Sequence, residues 1–202
     1  MNQTDRTAEC NAREFSFAHG RGCYGDHVDE SDEQCMSNLG AGCDQALSVL
    51  MDRYQTMLVN HFRRRGVKDQ YEDLAQETFF RIYKARKRYK PTASFKTWMF
   101  TVAQRVWIDY VRKSARRKRR EDSFRAEPRP VAVQEPSHHR DEVLWALDQL
   151  PQSLRDVVVL SFFDGLSHAE ISAVLDIPEG TVKSRRHHAM KRLRTLLTEV
   201  SE

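Results

Sequence analysis

Cysteine is absent from residues 44–202 of this chain, and its four cysteines all lie within the first 43 residues. A secreted fold held by disulfides would distribute cysteines through its body, so the body is expected in a reducing compartment. The sequence also lacks an apolar run of about 20 residues, which a membrane span requires. Its first twenty residues carry charges where a signal peptide would be apolar. We therefore expect a cytoplasmic protein with no membrane partner.

The sequence has no glycine-rich phosphate loop and no strand-like alternation of apolar and polar residues. Its apolar residues instead recur at helical spacing, which predicts an all-α chain. The expected helices cover residues 46–62, 69–87, 94–111, 141–149, 152–163, 167–175 and 179–197. Ser94 is a candidate N-cap for the third of them.

Three prolines and few large apolar residues lie between residues 121 and 140, which indicates a flexible linker. We therefore predict two small helical domains, with three helices at 45–120 and four at 141–202. An acidic leader at 1–44 precedes them, and its composition favours disorder. The first 45 residues carry three basic and nine acidic side chains, whereas the remainder has a net charge of +10. A basic body favours a polyanion, either a nucleic acid or a membrane surface.

The C-terminal segment has the pattern of a helix-turn-helix. Ser167 and Glu170 have the spacing of a capping box, and Asp176-Ile177-Pro178 forms a turn before a second helix. That second helix is dense in lysine and arginine, which neutralise phosphates when such a helix enters a major groove. An ordinary helical hairpin with a solvated basic face is the alternative.

The third helix combines aromatic and basic residues. Trp98 and Trp107 alternate there with Lys96 and Arg105. Bases of single-stranded DNA stack on aromatic rings while cations follow the backbone, so this composition suits a single strand. A stripe of aromatics on a helix also suits a core, and we expect both tryptophans to be largely buried.

Several blocks resemble, in order and spacing, those of the sigma-70 family of bacterial RNA polymerase sigma factors. Residues 73–84 resemble region 2.2, 95–103 region 2.3 and 107–113 region 2.4. Residues 147–163, 165–171 and 177–185 resemble region 4 and its helix-turn-helix. Because no region 3 domain lies between them, the resemblance is to the extracytoplasmic-function group. It implies a non-enzymatic subunit with core RNA polymerase and promoter DNA as partners, and an anti-sigma factor is a typical further partner in this family.

The resemblance also implies residues for three contacts. The polymerase candidates are Asp73, Gln76, Glu77, Arg81, Phe162 and Phe163. The candidates for the melted minus-ten element are Arg88, Lys90, Ser94, Lys96, Arg105, Asp109, Arg112 and Lys113. The candidates for the duplex minus-thirty-five element are Thr181, Lys183, Ser184, Arg185, His188 and Lys191. Arg186 departs from the family, which usually has a core leucine there, so either its charged end extends outward or the helix packs differently.

The leader contains four residues that could hold zinc: His19, Cys23, His27 and Cys35. The first three would share one face of a helix. However, the cysteines lack the close pairing of a convincing zinc site, so incidental cysteines are favoured and no cofactor is assigned. The acidic leader could also shield the basic body, and unchanged promoter binding after deletion of residues 1–43 would contradict such autoinhibition.

Two other functions compete with the sigma factor. A free-standing helix-turn-helix repressor would explain the C-terminal half and would bind duplex DNA without polymerase. A metal-dependent nuclease could use Asp73 and Glu77, which share a helix face, but the sequence marks no further acidic or histidine partner. Carboxylates on a helix face usually lie at the surface, so we do not expect an enzyme.

Overall fold

The computed structural model describes residues 30–124 and 139–200, and the secondary structure of these residues is helical, without strands. The helices are α1 (Asp32–Ala41), α2 (Gln45–Arg64), α3 (Tyr71–Ala85), α4 (Phe95–Phe124), α5 (His139–Asp148), α6 (Gln152–Val158), α7 (His168–Leu175) and α8 (Glu179–Val200). A 3₁₀ turn at Arg86–Arg88 follows α3, and a π-helical turn at Val159–Phe163 extends α6. The all-α prediction is therefore confirmed. None of the helices in the described ranges is long and apolar enough to span a membrane.

Helices α2, α3 and α4 form the predicted centre of the N-terminal domain. Their apolar faces bury Phe62, Phe79, Ile82 and Phe100, each almost inaccessible to solvent. Burial of large apolar side chains is the main stabilising contribution to such a small bundle. As predicted, Ser94 caps α4, since its hydroxyl accepts a hydrogen bond from the Thr97 amide at 3.2 Å.

Helix α1 corrects the predicted start of this domain. The sequence predicts a leader through residue 44, but α1 packs on α2 and buries Cys35, Met36 and Leu39. The Ser31 hydroxyl caps α1 by accepting a hydrogen bond from the Gln34 amide at 3.2 Å. A helix of ten residues with three buried apolar side chains produces too weak a periodic pattern to detect. The domain therefore has four helices, and residues 1–29 of the predicted leader lie outside the described residues.

The acidic residues of α1 connect α2 to the start of α4. Asp32 pairs with Arg53 at 2.7 Å and accepts a hydrogen bond from the Tyr54 hydroxyl. The Glu33 carboxylate accepts a hydrogen bond of 3.0 Å from the Phe95 amide, at the N-terminus of α4. Acidic side chains stabilise a helix N-terminus because its amides lack partners within the helix. A deletion that tests autoinhibition by the leader must therefore end at residue 29, because one through residue 43 removes a core helix.

The C-terminal domain contains the four predicted helices, α5 to α8. The π turn after α6 is closed by a hydrogen bond of 3.0 Å from the Asp164 amide to the Val159 carbonyl. It leaves Phe162 (47% exposed) and Phe163 (36% exposed) at the surface. Of the predicted linker at 121–140, α4 occupies residues up to Phe124 and α5 begins at His139. Residues 125–138 lie outside the described part.

The two domains pack against each other, which the sequence does not predict. Helix α7 lies on α4, and the apolar core continues from the N-terminal domain into the C-terminal domain. Leu160, Leu166 and Ile171 belong to this shared core. The arrangement places the helix-turn-helix beside the beginning of α4.

Candidate nucleic-acid interface

The predicted helix-turn-helix is present in α7 and α8. The Ser167 hydroxyl accepts a hydrogen bond from the Glu170 amide at 3.3 Å, and the Glu170 carboxylate accepts one from the Ser167 amide at 2.8 Å. Both halves of the capping box are therefore formed. Asp176 ends α7 in a left-handed conformation, and the Ser172 hydroxyl donates to the Ile177 carbonyl at 2.6 Å. These bonds fix the turn between the two helices.

Helix α8 presents the minus-thirty-five candidates to solvent. Thr181, Ser184, His188 and Lys191 share one face, because positions three, seven and ten residues apart lie close together around a helix. Of these, Thr181 is half-buried and the other three are exposed. Lys183 is also exposed, and Arg185 is half-buried. The surface therefore offers hydroxyl, imidazole and cationic groups to a major groove, and the assignment to the minus-thirty-five element stays a prediction.

The structure decides between the two alternatives for Arg186. Its guanidinium lies 4.8 Å from the centre of the Phe162 ring and 3.2 Å from Nε2 of His168. The charged end therefore extends out of the core while α8 keeps its packing, with buried Val182 and Ala189 on the same side. The cation–aromatic contact holds one of the two exposed phenylalanines in place.

The minus-ten candidates form a line along α4 and the loop before it. Arg88 ends the 3₁₀ turn and Lys90 lies in the loop after it, and both are exposed, whereas Ser94 and Lys96 lie at the start of α4. Further along, Arg105, Asp109, Arg112 and Lys113 share a face of α4. This face is basic apart from its one carboxylate, as a phosphate backbone requires. These residues stay candidates.

The two tryptophans of α4 differ in burial. Trp107 is buried, as predicted, and its ring stacks on Tyr110 with centroids 5.8 Å apart. Trp98 is half-buried and meets Tyr89 edge-on at 4.8 Å. Trp98 therefore retains some surface on which a base could stack, whereas Trp107 serves the core.

Arg81 joins residues that the sequence assigns to different partners. Its guanidinium pairs with Glu77 of α3 at 2.8 Å and with Asp109 of α4 at 2.9 Å. Glu77 and Arg81 are polymerase candidates, whereas Asp109 is a minus-ten candidate. The three residues therefore also hold α3 against α4, so a substitution in any of them would change more than one contact.

A groove of about 470 Å³ runs between α2 and α3. Its apolar residues are Leu47, Met51, Phe79, Phe80 and Tyr83, and its polar residues are Gln55, Asp73, Gln76 and Glu77. Three polymerase candidates, Asp73, Gln76 and Glu77, thus line an apolar cleft. Such a cleft with an acidic edge suits a partner helix that carries apolar and basic side chains. Phe162 and Phe163, the two apolar polymerase candidates, lie in the C-terminal domain.

A buried polar cluster between the domains is a further feature that the sequence does not reveal. Nδ1 of His61 lies 2.6 Å from the Asp164 carboxylate, and the Arg65 guanidinium pairs with Asp156 at 2.8 Å. His61, Arg65 and Asp164 are each 1% exposed. Arg65 also donates a hydrogen bond of 2.7 Å to Gln104. The partners are 103 and 91 residues apart, and no local pattern signals such a pairing.

Glu170 makes a second polar contact between the domains. The Thr97 hydroxyl donates to its carboxylate at 2.6 Å, and the Ser94 hydroxyl donates more weakly at 3.4 Å. The hydrogen bond from Thr97, followed by those from Ser167, lowers the pKa of Glu170 to about 2. Glu170 is therefore ionised at neutral pH and holds α7 against the first turn of α4.

The zinc candidates fall in two groups. His19, Cys23 and His27 lie outside the described residues. Cys35 is buried in the core of the N-terminal domain, and this burial raises the pKa of its thiol. Zinc binds the thiolate, so a ligand role for Cys35 would require the loss of the thiol proton, and zinc on the leader stays a prediction. No group of three metal-ligating side chains occurs in residues 30–124 and 139–200.

Two family models match the two domains separately. "Sigma-70 region 2" matches residues 50–117 and "Sigma-70, region 4" matches residues 140–193. A curated relative, the "ECF RNA polymerase sigma factor SigE" of Mycolicibacterium smegmatis, is 34% identical over 146 residues, which cover 69% of this chain but 56% of that protein. The "ECF RNA polymerase sigma-E factor" of Escherichia coli K12 is 27% identical over 168 residues, or 77% of this chain and 88% of that protein.

Solved structures share the arrangement of helices. CnrH, solved in complex with the cytosolic domain of CnrY, superposes with a TM-score of 0.64 at 23% identity, over 84% of this chain and 99% of that one. This similarity concerns the fold. The sigma factor RpoE of Bartonella quintana, solved with the anti-sigma factor NepR, gives a TM-score of 0.63 at 25% identity, over 73% of this chain and 94% of that one.

Proposed function

Because the chain belongs to the sigma-70 family of RNA polymerase sigma factors, in its extracytoplasmic-function group, we propose that it binds core RNA polymerase and directs transcription initiation at promoters. The observation that carries this proposal is the match of two separate sigma-70 regions, in order, to the two helical domains. A free-standing repressor would not account for the match of residues 50–117 to sigma-70 region 2. The proposed role involves no catalytic step by this chain, and it places the protein in the cytoplasm with the polymerase.

Each domain has a proposed share in promoter recognition. The loop before α4 and the exposed basic face of α4 capture the melted minus-ten strand, where stacking and phosphate contacts can hold unpaired bases. Helix α8 enters the major groove of the minus-thirty-five duplex. The groove between α2 and α3 accepts a helix of the polymerase. An anti-sigma factor is a further proposed partner, since the RpoE relative was solved with one.

Run-off transcription with purified core polymerase and fragmented genomic DNA tests this function. Addition of the chain is expected to produce new transcripts whose start sites share a two-block upstream sequence. The reaction without the chain is the control, because core polymerase alone does not select promoters. If neither transcripts nor binding to core polymerase can be detected, the proposed function is wrong.

Lys183→Ala is expected to weaken binding to the minus-thirty-five duplex about tenfold, because one exposed cation at the start of α8 is lost. The matched control is Arg192→Ala, which removes one cation further along the same helix. Fluorescence anisotropy against duplexes with single base changes measures both variants. A base contact relaxes specificity at one position, whereas a phosphate contact weakens all sequences alike and lowers the salt dependence. Equal losses in the two variants would contradict a special role for Lys183.

A further inference from the structure

Helix α1 contacts both ends of the loop that precedes α4. This entry loop, residues 89–94, follows the 3₁₀ turn and leads into α4 at Phe95. At the start of the loop, a Cβ on Gly40 would lie 3.2 Å from the Arg86 carbonyl oxygen, so the backbone of α1 lies against the backbone of the turn. At the end of the loop, the Glu33 carboxylate accepts a hydrogen bond of 3.0 Å from the Phe95 amide.

The two contact points lie on one face of α1. Glu33 and Gly40 are seven residues apart, which is close to two full turns, so both are on the same side of the helix. Seven residues of an α-helix span about 10 Å along its axis. Because the hydrogen bonds within a helix keep this length constant, α1 fixes the separation between the two ends of the entry loop. A loop whose ends are fixed has fewer shapes available than one whose ends are free.

The entry loop carries two minus-ten candidates at the surface. Residues 90–94 are all exposed, and they include Lys90 and Ser94. Inside the loop, the Thr92 amide donates a hydrogen bond of 2.8 Å to the Lys90 carbonyl. Because exposed residues bury little apolar surface that could hold them in place, the shape of this loop depends mainly on where its ends are held.

Aromatic side chains connect the start of the loop to the first turns of α4. The Tyr89 ring meets the Trp98 ring edge-on at 4.8 Å and the Phe95 ring at 6.5 Å. Burial raises the pKa of Tyr89, and the nearby carboxylates of Glu33 and Asp32 raise it further, which places the acidic end of α1 beside this ring. The half-buried Trp98 ring therefore has a defined position relative to the loop.

We propose that α1 is a positioning element for minus-ten recognition, in which Glu33 and Gly40 hold the two ends of the entry loop and set the distance from its polar side chains to the Trp98 ring. The inference rests on the proposed function, which assigns this loop to the melted strand. A base can stack on a ring only while the phosphate contacts beside it stay in register. When the loop ends are free, only a fraction of molecules has the binding shape, and the apparent affinity falls by that fraction.

Glu33→Ala tests the contact at the end of the loop. Alanine cannot accept the hydrogen bond from the Phe95 amide, so hydrogen exchange of residues 89–98 is expected to accelerate about tenfold. For the second measurement, the wild-type full chain selects 20-nucleotide single strands from a pool of random sequence. The variant is expected to bind the selected strands about tenfold more weakly and the unselected pool unchanged. Removal of a carboxylate near DNA would by itself tighten binding, so the sign of the effect separates position from charge.

Gly40→Ala tests the contact at the start of the loop. The added Cβ is closer to the Arg86 carbonyl than an ordinary van der Waals contact, so the turn must shift by a few tenths of an ångström. Binding to the selected strands should therefore weaken as well. Alanine favours a helix more than glycine does, so unfolding of α1 would not explain this loss.

Two variants serve as controls. Glu33→Gln retains a side-chain oxygen that can accept the hydrogen bond from Phe95, so it should restore most of the wild-type selectivity. Asp44→Asn removes one negative charge from an exposed residue before α2 whose side chain makes no capping hydrogen bond, and it should resemble the wild type. Circular dichroism verifies that each variant is folded, and Gly40→Ala decides the matter if Glu33→Ala is not.

The possible results separate this inference from the proposed function. Folded Glu33→Ala and Gly40→Ala chains that exchange and bind like the wild type would overturn the positioning role. Faster exchange without weaker binding to the selected strands would overturn the link to strand recognition, and so would a wild-type chain that selects no strands. A pull-down with core polymerase runs in parallel: if the wild type does not bind polymerase, the sigma function fails, while exchange and selection still decide the role of α1.

Discussion

Asp73→Lys is expected to weaken binding to core RNA polymerase about 100-fold, a loss of about 3 kcal/mol. Asp73 is exposed at the edge of the groove between α2 and α3, where apolar residues of both helices form the floor. The acidic edge of this groove would attract basic side chains of the polymerase. A lysine at position 73 would place a cation opposite them. Like charges that face each other across an interface cost several kcal/mol, so the effect should exceed that of removing the carboxylate alone.

The control for this variant lies next to it in the sequence. Glu72→Lys makes the same change of charge on an exposed residue of α3 that does not line the groove, because adjacent residues of a helix point in different directions. It should bind polymerase nearly as well as the wild type. Anisotropy of a labelled chain titrated with core polymerase measures both. Equal affinity of the two variants would show that the groove is not the docking surface.

Leu39→Ala is expected to lower the free energy of unfolding by about 2–5 kcal/mol. Leu39 is fully buried in the core between α1 and its neighbours, so the shorter side chain leaves a cavity. The expected loss is a large fraction of the stability of a small domain. The variant also tests whether α1 belongs to the folded domain, because the composition of this segment favours a disordered leader instead.

Ser37→Ala is the matched control, since Ser37 is exposed on the same helix. Urea denaturation followed by circular dichroism gives the free energies of unfolding. The control is expected to change stability by less than about 0.5 kcal/mol. If Leu39→Ala unfolded at the same urea concentration as the control, α1 would not be part of the cooperative domain.

Some features were predictable because their signals are local. The capping box of Ser167 and Glu170, the turn at Asp176-Ile177-Pro178 and the start of α4 at Ser94 each depend on residues within a few positions of one another. Helical periodicity placed the starts of α2 to α8 within a few residues of their observed positions, because one face of each helix must meet a core. The end of α4 was not predicted, since this helix continues to Phe124, beyond the expected end at residue 111. The helix-turn-helix and the order of the two domains follow from these signals.

Other features could not be predicted, because their sequence signal was short or was the same as that of a different kind of segment. The ten residues of α1 lie in an acidic segment with four cysteines nearby, and its composition resembles that of a disordered leader. Leu39 is buried only because α1 packs against α2, and the sequence of α1 alone does not show this contact. Glu77, Arg81 and Asp109 could be assigned to surfaces from the sequence, but their common ion-pair network depends on how α3 lies against α4.

The sequence by itself determined the helical class, the positions of most helices and the family, since these depend on periodicity, caps and blocks of residues in a fixed order. Only the tertiary structure decided that His61 and Arg65 are buried. Both lie in the basic segment at the end of α2. His61 packs against Asp164, and Arg65 pairs with Asp156. Polar and charged side chains at a helix end normally stay hydrated, and nothing within a few residues of these two predicts otherwise. Partners about 100 residues away in the chain compensate their burial, and such pairings arise from packing between domains.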